Sequence, residues 1–219
     1  MSANTQRSVG RPPILSHDIV VETALGLATA DPTTTLTMAR IGAELGTDPS
    51  AVYRYFKNRD ELVLAVADMV YLEALDQVPA GLAWDDELLV AIRGAFIRRP
   101  ALALETVYRF LGGPGEAQVI ARSLELVRSA GFAEDEAELH VRLLGEYVLG
   151  NVMSDSGWLT LDEQGRKRER EVEHRIYTST RNILDAHTSV EDVIREDVLV
   201  VNFIKMYLAG ATSTLTGRS

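Results

Sequence analysis

Apolar residues recur at three- and four-residue spacing along almost the whole chain, and this spacing restricts the fold more than any other feature. It places the apolar side chains of a segment on one face of an α-helix, whereas the period-two alternation of half-buried strands is scarce here. Glycines and prolines fall between the periodic segments, where helices are expected to end. The pattern predicts helices over approximately 16–30, 37–44, 48–55, 59–77, 85–98, 101–111, 115–130, 134–155, 166–186 and 189–214. The expected fold class is therefore all-α.

The composition is that of an ordinary globular protein. The 219 residues are 46% hydrophobic and 25% charged, which suffices for one large domain or two modest ones. There is no cysteine, so disulfides and thiolate metal sites are excluded. The N-terminal segment lacks the apolar stretch of a secretory signal, and nowhere do about 18 apolar residues run together. We therefore expect a cytoplasmic protein without a membrane partner.

The net charge of −10 disfavours binding to nucleic acid, because DNA is a dense polyanion. The charge is unevenly distributed, however. Residues 1–60 carry six basic and six acidic side chains, whereas residues 61–219 carry 16 basic and 26 acidic ones. All the excess acid therefore lies outside the N-terminal segment, although a neutral segment is still less basic than a typical DNA-binding domain.

That segment contains two short predicted helices separated by a tight turn, in the run TMARIGAELGTDPSAVYRYFKNR at 37–59. Thr37 and Asp48 stand where each helix begins, and Pro49 suits a first helical position. In the second helix Val52 and Phe56 lie four residues apart and can be buried together, which leaves a polar outer face. A short helix of this kind fits the major groove of DNA. Corners of the same type also occur in helical proteins that bind no DNA.

The stretch LGTDPSAVYRYFKNRDEL at 45–62 resembles the recognition-helix signature of the TetR family of bacterial transcriptional regulators. The resemblance extends from about His17 to Leu75, and it is dense over about 25 residues. It implies an N-terminal three-helix helix-turn-helix domain followed by a larger helical domain for ligand binding and dimerisation. We accordingly expect a flexible basic arm at 1–17, a DNA-binding domain at 18–60 and a regulatory domain at 61–219.

The resemblance also implies which residues touch a double-stranded operator. Phosphate contacts would come from Thr37, Tyr55, Lys57 and Arg59. The groove would be faced by Ser50, Ala51, Tyr53 and Arg54. Arg7 and Arg11 in the arm could reach the adjacent minor groove, as flexible basic arms do. Asp48 is expected to act as a helix cap and not as a DNA contact, because its charge repels phosphate.

For the regulatory domain the resemblance implies a homodimer formed through the last helices and a small-molecule effector that releases the protein from a palindromic operator. The run DVLVVNFIKMYLAGATSTL is apolar nearly all round, which requires burial on more than one face. A core helix of a monomer would meet the same requirement. The candidate ligand-pocket residues are aromatic or adaptable side chains of the central helices, namely Phe96, Tyr108, Phe110, His140, Tyr147, Met153 and Trp158.

Catalysis and metal binding find little support in the sequence. The four histidines form no HxxxH or HExxH pair, so no metal or other cofactor is expected. GGPGEA at 112–117 lacks the Lys-Ser/Thr of a phosphate-binding loop and indicates a helix–helix turn. No nucleophile elbow is present, and we expect no enzyme. Two alternatives remain open: a regulator that responds to a protein partner, and an interaction protein whose helix-turn-helix is purely structural.

Overall fold

The computed structural model describes residues 15–79, 87–179, 200–204, 206, 207 and 210. Throughout these residues the chain is helical, with turns between the helices and no strand. The fold is all-α, as the periodicity predicts. Within the same residues no helix is both long enough and apolar enough to cross a membrane.

Three short helices form the N-terminal part: α1 (His17–Ala30), α2 (Met38–Glu44) and α3 (Pro49–Val52). Each begins at a side-chain cap, because Ser16, Thr37 and Asp48 accept hydrogen bonds from the backbone N–H groups that the helix leaves unpaired. A turn at Gly46, whose φ of 64° suits glycine, separates α2 from α3. These caps and the turn confirm the sequence-based assignment of this corner.

Helix α4 (Arg59–Asp76) continues from this corner into the rest of the molecule. Asn58 caps it by accepting a hydrogen bond from the Glu61 backbone N–H. It packs against α1 on one side and against α5, α6 and α7 on the others. Eight of its 18 residues are buried as a result. Because α4 is part of the core both of the N-terminal helices and of the helices that follow, a displacement of α4 would change the packing of both.

The second half consists of α5 (Glu87–Ile97), α6 (Pro100–Thr106), α7 (Pro114–Ser129), α8 (Glu134–Leu159) and α9 (Glu163–Ser179). Helix α8 packs against α5, α6 and α7. The helical residues described between 200 and 210 also lie on the core, where Val200 and Ile204 are fully buried.

Several helix boundaries differ from the sequence-based prediction. Helix α3 ends at Val52 and α6 ends at Thr106, so both are shorter than expected. Helix α8 instead continues past its predicted end at residue 155, through Gly157, to Leu159. A glycine inside a helix costs only about 1 kcal/mol relative to alanine, and the packing of a 26-residue helix outweighs this cost. The predicted helix at 189–214 lies largely outside the described residues, and so do residues 1–14 of the predicted arm at 1–17, whose last residue, His17, begins α1.

Candidate nucleic-acid interface and ligand cavity

The exposed face of the α3 corner carries four of the predicted DNA contacts. Ser50, Arg54 and Lys57 are exposed, and the Tyr53 side chain is 51% exposed although it is a large aromatic group. Val52 and Phe56 are buried beneath them, at 0% and 1% exposure. The structure thus brings together a tyrosine, a hydroxyl and two basic side chains on one rigid corner.

Asp48 lies at the edge of this face and serves as the cap of α3. Its carboxylate accepts the Ser50 backbone N–H at 2.8 Å. This hydrogen bond, with help from the Ser50 side chain, lowers the pKa of Asp48. The carboxylate therefore stays ionised at neutral pH, and its charge partly offsets that of Arg54 and Lys57.

Three further residues predicted to contact DNA are buried or hydrogen bonded within the protein. Ala51 is only 7% exposed, so its methyl group points into the core and not to the groove-facing surface. The Thr37 hydroxyl caps α2 by accepting the Arg40 backbone N–H at 3.2 Å, although the residue itself is exposed. The Tyr55 hydroxyl donates to the Leu15 carbonyl and ties the corner to the start of α1.

Arg59, predicted to contact phosphate, donates three hydrogen bonds to acceptors within the protein. Its guanidinium donates twice to the Glu105 carboxylate, at 2.6 and 2.7 Å, and its Nε donates to the Leu36 carbonyl. The hydrogen bonds that Arg59 donates to Glu105 raise the pKa of Arg59. In this conformation Arg59 fastens α4 to α6, and three of its five N–H donors are used within the protein.

The next residue of α4 forms a second ion pair with the same region. Asp60 accepts two hydrogen bonds from the Arg109 guanidinium, at 2.5 and 2.8 Å, and these lower the pKa of Asp60. The first turn of α4 thus presents a cation to Glu105 and an anion to Arg109. Because the pairs have opposite polarity, only one register of α4 against α6 and the segment that follows it satisfies both. We call these two ion pairs the α4–α6 clamp.

About two turns further along, α4 is joined to α7. The Asp68 carboxylate accepts the backbone N–H groups of Gly115 and Glu116, at 2.9 and 2.8 Å. It thereby caps α7 from another helix, since the N-cap residue Gly113 has no side chain that could do so. A Cβ on Gly113 or Gly115 would overlap Asp68. The glycines of GGPGEA therefore allow two helices to meet closely, which agrees with a helix–helix turn.

A cavity of about 660 Å³ lies between α4, α5, α7 and α8 and the segment that follows α6. This volume is in the range of sites for small organic ligands. Its wall is mostly apolar, with contributions from Leu88, Leu89, Ile92, Val107, Val119, Leu144 and Val148. Polar side chains are the minority of the wall. Besides Tyr108 they are Tyr71, Arg109, Glu116, Ser123, Glu138, Arg142 and Glu146.

Three of the predicted pocket residues line this cavity, namely Tyr108, Phe110 and Met153. Phe110 is 83% exposed, which is unusual for an aromatic side chain and places it at the cavity mouth. The other four lie elsewhere: Phe96 packs in the core against Tyr71, His140 is hydrogen bonded to Tyr207, Tyr147 stacks on Phe203, and Trp158 lies beneath Arg170.

Sequence reasoning missed Tyr71, Arg109 and Glu116. Tyr71 and Arg109 fall inside helices predicted from the sequence and Glu116 in a predicted turn, where nothing marks them as part of a cavity. The one usable signal was a hydroxyl on a helix whose neighbouring core positions are aliphatic, since Val66, Val70 and Ala74 surround Tyr71 in the sequence.

Comparison with known proteins agrees with this geometry. The family model described as "Bacterial regulatory proteins, tetR family" matches residues 20–66. A second model, "Tetracyclin repressor-like, C-terminal domain", matches residues 82–196, which is more than half of the chain. The chain belongs to the TetR family. Its members are transcriptional regulators with an N-terminal helix-turn-helix, and the first match ends inside α4 of this TetR-family protein.

Three relatives of known name illustrate the family. The HTH-type transcriptional repressor DrrR1 of Streptomyces coeruleorubidus is 31% identical over 67% of this chain, a stretch that spans 56% of that repressor's length. The crystal structure of the TetR family protein ActR of Streptomyces coelicolor with actinorhodin superposes with a TM-score of 0.68, at 26% identity, over 90% of this chain and 98% of that one. BioQ with its double-stranded DNA operator has a TM-score of 0.57 and 26% identity over 66% of this chain and 89% of that one.

Proposed function

We propose that this TetR-family regulator is a repressor that binds a palindromic operator as a homodimer and is released when a small molecule fills the cavity between α4, α5, α7 and α8. One observation carries the proposal. The segment that presents Tyr108 and Phe110 to the cavity also presents Arg109 to Asp60, in the first turn after the DNA-binding corner. A molecule that moves this segment must also disturb the clamp.

The proposed DNA contact surface is the exposed face of the α3 corner. Ser50, Tyr53 and Arg54 would face base edges, with Tyr53 available for apolar contact with a thymine methyl. Lys57 and the exposed Thr37 would contact phosphate. The surface has little net charge, so specific placement of these groups matters more here than general attraction to a polyanion.

For Arg59 we propose an exchange of partners. A phosphate that approaches the start of α4 would compete with Glu105 for the guanidinium, which suits bidentate binding of either group. Glu105→Gln weakens the internal competitor while retaining its size. We expect this variant to bind operator DNA more tightly than the wild type, and Arg59→Ala to bind it more weakly. Equal affinity in all three proteins would show that Arg59 is purely structural.

The homodimer would use the exposed face of α8 together with the C-terminal helical residues. Leu139 and Leu143 lie four residues apart on α8 with exposures of 57% and 44%, and Met206 is 72% exposed. Large exposed apolar side chains grouped in this way are typical of interaction surfaces. Leu143→Glu should produce monomers in light scattering at micromolar concentration, whereas Gln118→Glu on the exposed side of α7 should not.

The DNA-binding part is tested by fluorescence anisotropy with the DNA that flanks the protein's own gene, at a fixed salt concentration, against a scrambled duplex. Tyr53→Ala and Arg54→Ala should each weaken binding to the flanking DNA on the order of tenfold or more, because base contacts are lost. Binding to the scrambled duplex should change less for Tyr53→Ala. Unchanged affinity in both variants would show that the corner is structural.

The proposed cellular location is the cytoplasm, where bacterial DNA lies.

The ligand-binding part is tested by a thermal-shift screen with small apolar compounds. A regulator that responds to a protein partner would show no hit that also affects its affinity for DNA.

A further inference from the structure

Tyr71 is the most enclosed hydroxyl-bearing side chain in the described wall of the cavity. The residue is 7% exposed, and its ring meets Phe96 edge-on with centroids 5.1 Å apart. Among the described residues its hydroxyl has no hydrogen-bond partner, yet it is not completely enclosed by protein atoms. A hydroxyl that has no protein partner and is accessible from the cavity can donate a hydrogen bond to a molecule bound there. The wall therefore holds a polar group that a ligand could satisfy.

The state of this hydroxyl follows from its neighbours. Burial first, and then the nearby charges of Glu116 and Asp68, raise the pKa of Tyr71, so that the phenol stays protonated and can donate. Both carboxylates are fixed in place: Asp68 accepts two backbone N–H groups of α7, and Glu116 accepts those of Leu111 and Gly112 at 2.9 Å each. This end of the cavity thus combines a hydrogen-bond donor with a fixed negative potential.

These features select among ligand groups. An anion next to Tyr71 would be repelled by Glu116 and Asp68. An ammonium group would lose its hydration against a largely apolar wall, and both oxygens of Asp68 already accept protein N–H groups. A neutral oxygen acceptor loses little free energy on transfer from water into the cavity, and there it gains a hydrogen bond from the Tyr71 hydroxyl. The two arginines of the wall do not change this selection, because Arg109 is paired with Asp60 and Arg142 with Glu146.

We propose that Tyr71 recognises an uncharged oxygen acceptor, such as a ketone carbonyl, on an otherwise apolar ring system bound in the cavity. This inference rests on the proposed ligand-responsive function. It specifies that the effector carries an uncharged oxygen acceptor, and that Tyr71 donates a hydrogen bond to this oxygen.

The test uses four probes that share one ring skeleton and differ at a single carbon: fluorene, 9-fluorenone, 9-aminofluorene as its ammonium ion, and fluorene-9-carboxylate. Their affinities for the full-length protein are measured by calorimetry. We expect 9-fluorenone to bind about fivefold more tightly than fluorene, as one neutral hydrogen bond would give. The ammonium and the carboxylate should bind more weakly than 9-fluorenone.

Tyr71→Phe keeps the ring against Phe96 and removes only the hydroxyl. It should abolish the advantage of 9-fluorenone while leaving fluorene affinity unchanged. Tyr108→Phe is the matched control, since this 65% exposed tyrosine lines the same cavity, and it should leave the fluorenone-to-fluorene ratio intact. Because the Tyr71 hydroxyl has no partner among the described residues, Tyr71→Phe should also unfold at the wild-type temperature or above it.

The outcomes separate the two proposals. If fluorene and 9-fluorenone bind equally well, or if the ratio survives Tyr71→Phe, the Tyr71 proposal is overturned while the cavity remains a binding site. Tighter binding of the ammonium or the carboxylate that depends on the Tyr71 hydroxyl also overturns it. If none of the four probes binds, the cavity takes no such ligand, and the ligand-responsive function fails together with the inference.

Discussion

Removal of the Asp68 carboxylate should destabilise the whole protein, because this side chain supplies a helix cap that α7 cannot make for itself. The carboxylate is 6% exposed and accepts two backbone N–H groups at the start of α7. The variant Asp68→Ala deletes both hydrogen bonds and leaves the first turn of α7 without an acceptor. It also removes the negative charge that faces the positive end of the helix.

The expected loss follows from these contacts. A lost N-cap side chain costs about 1 kcal/mol, and a hydrogen bond to a charged group contributes about 1.5–3 kcal/mol. The two bonds share one carboxylate, and the space left by the mutation gives water some access to the freed N–H groups. We therefore expect the free energy of unfolding to fall by about 3 kcal/mol, at the low end of the sum of about 3–6 kcal/mol for two such bonds.

Urea unfolding followed by far-UV circular dichroism measures this difference, at one protein concentration because dimerisation shifts the apparent stability. Asp76→Ala is the matched control: the residue lies on the same helix but is exposed. Its free energy of unfolding should stay within about 0.5 kcal/mol of the wild type. If Asp68→Ala and Asp76→Ala unfold at the same urea concentration with equal slopes, the interhelical cap contributes nothing and the reasoning is refuted.

Three further predictions concern other parts of the molecule. Gly115→Ala should lower the free energy of unfolding by about 1–3 kcal/mol or more, because its Cβ would overlap Asp68. The control is Gly157→Ala, which has open space around it and should leave the free energy of unfolding unchanged or raise it by up to about 1 kcal/mol. Urea unfolding measures both variants. Arg93→Met should destabilise by about 3–5 kcal/mol, because it leaves the buried Asp155 without the guanidinium 2.6 Å away. The double variant with Asp155→Leu should recover most of that loss, and a double-mutant cycle in urea checks this. Lys57→Ala should reduce the slope of log affinity against log salt by about one when operator binding is measured by anisotropy, and an unchanged slope would exclude a phosphate contact.

The helix-turn-helix corner could be predicted from the sequence because local chemistry defines it. A capping threonine, a capping aspartate before a proline, and a glycine in a left-handed turn lie within a dozen residues of one another. Each acts on its nearest neighbours in the chain. The buried pair Val52 and Phe56 follows from the helical period in the same way. None of these features needs information about the rest of the fold.

The cavity and the α4–α6 clamp could not be predicted, because they join residues that are distant in sequence. Arg59 meets Glu105 46 residues later, and Asp60 meets Arg109 49 residues later. Nothing near Arg59 in the sequence distinguishes a cation that binds phosphate from one that fastens two helices together. Aromatic composition was also a poor guide to the cavity, since His140 and Tyr147 pack against the C-terminal helical residues.

Reciprocity of binding tests the central claim most directly. If the cavity regulates the DNA-binding corner, a compound from the thermal-shift screen must lower the protein's affinity for the flanking DNA. The flanking DNA must in turn lower the protein's affinity for the compound, and the two factors must be equal. We predict equal factors of at least about fivefold, measured by anisotropy for DNA and by calorimetry for the compound. A compound that binds the free protein and the DNA complex equally well, with Tyr71→Phe altering its affinity in both, would show that the cavity is occupied but does not control the release of DNA.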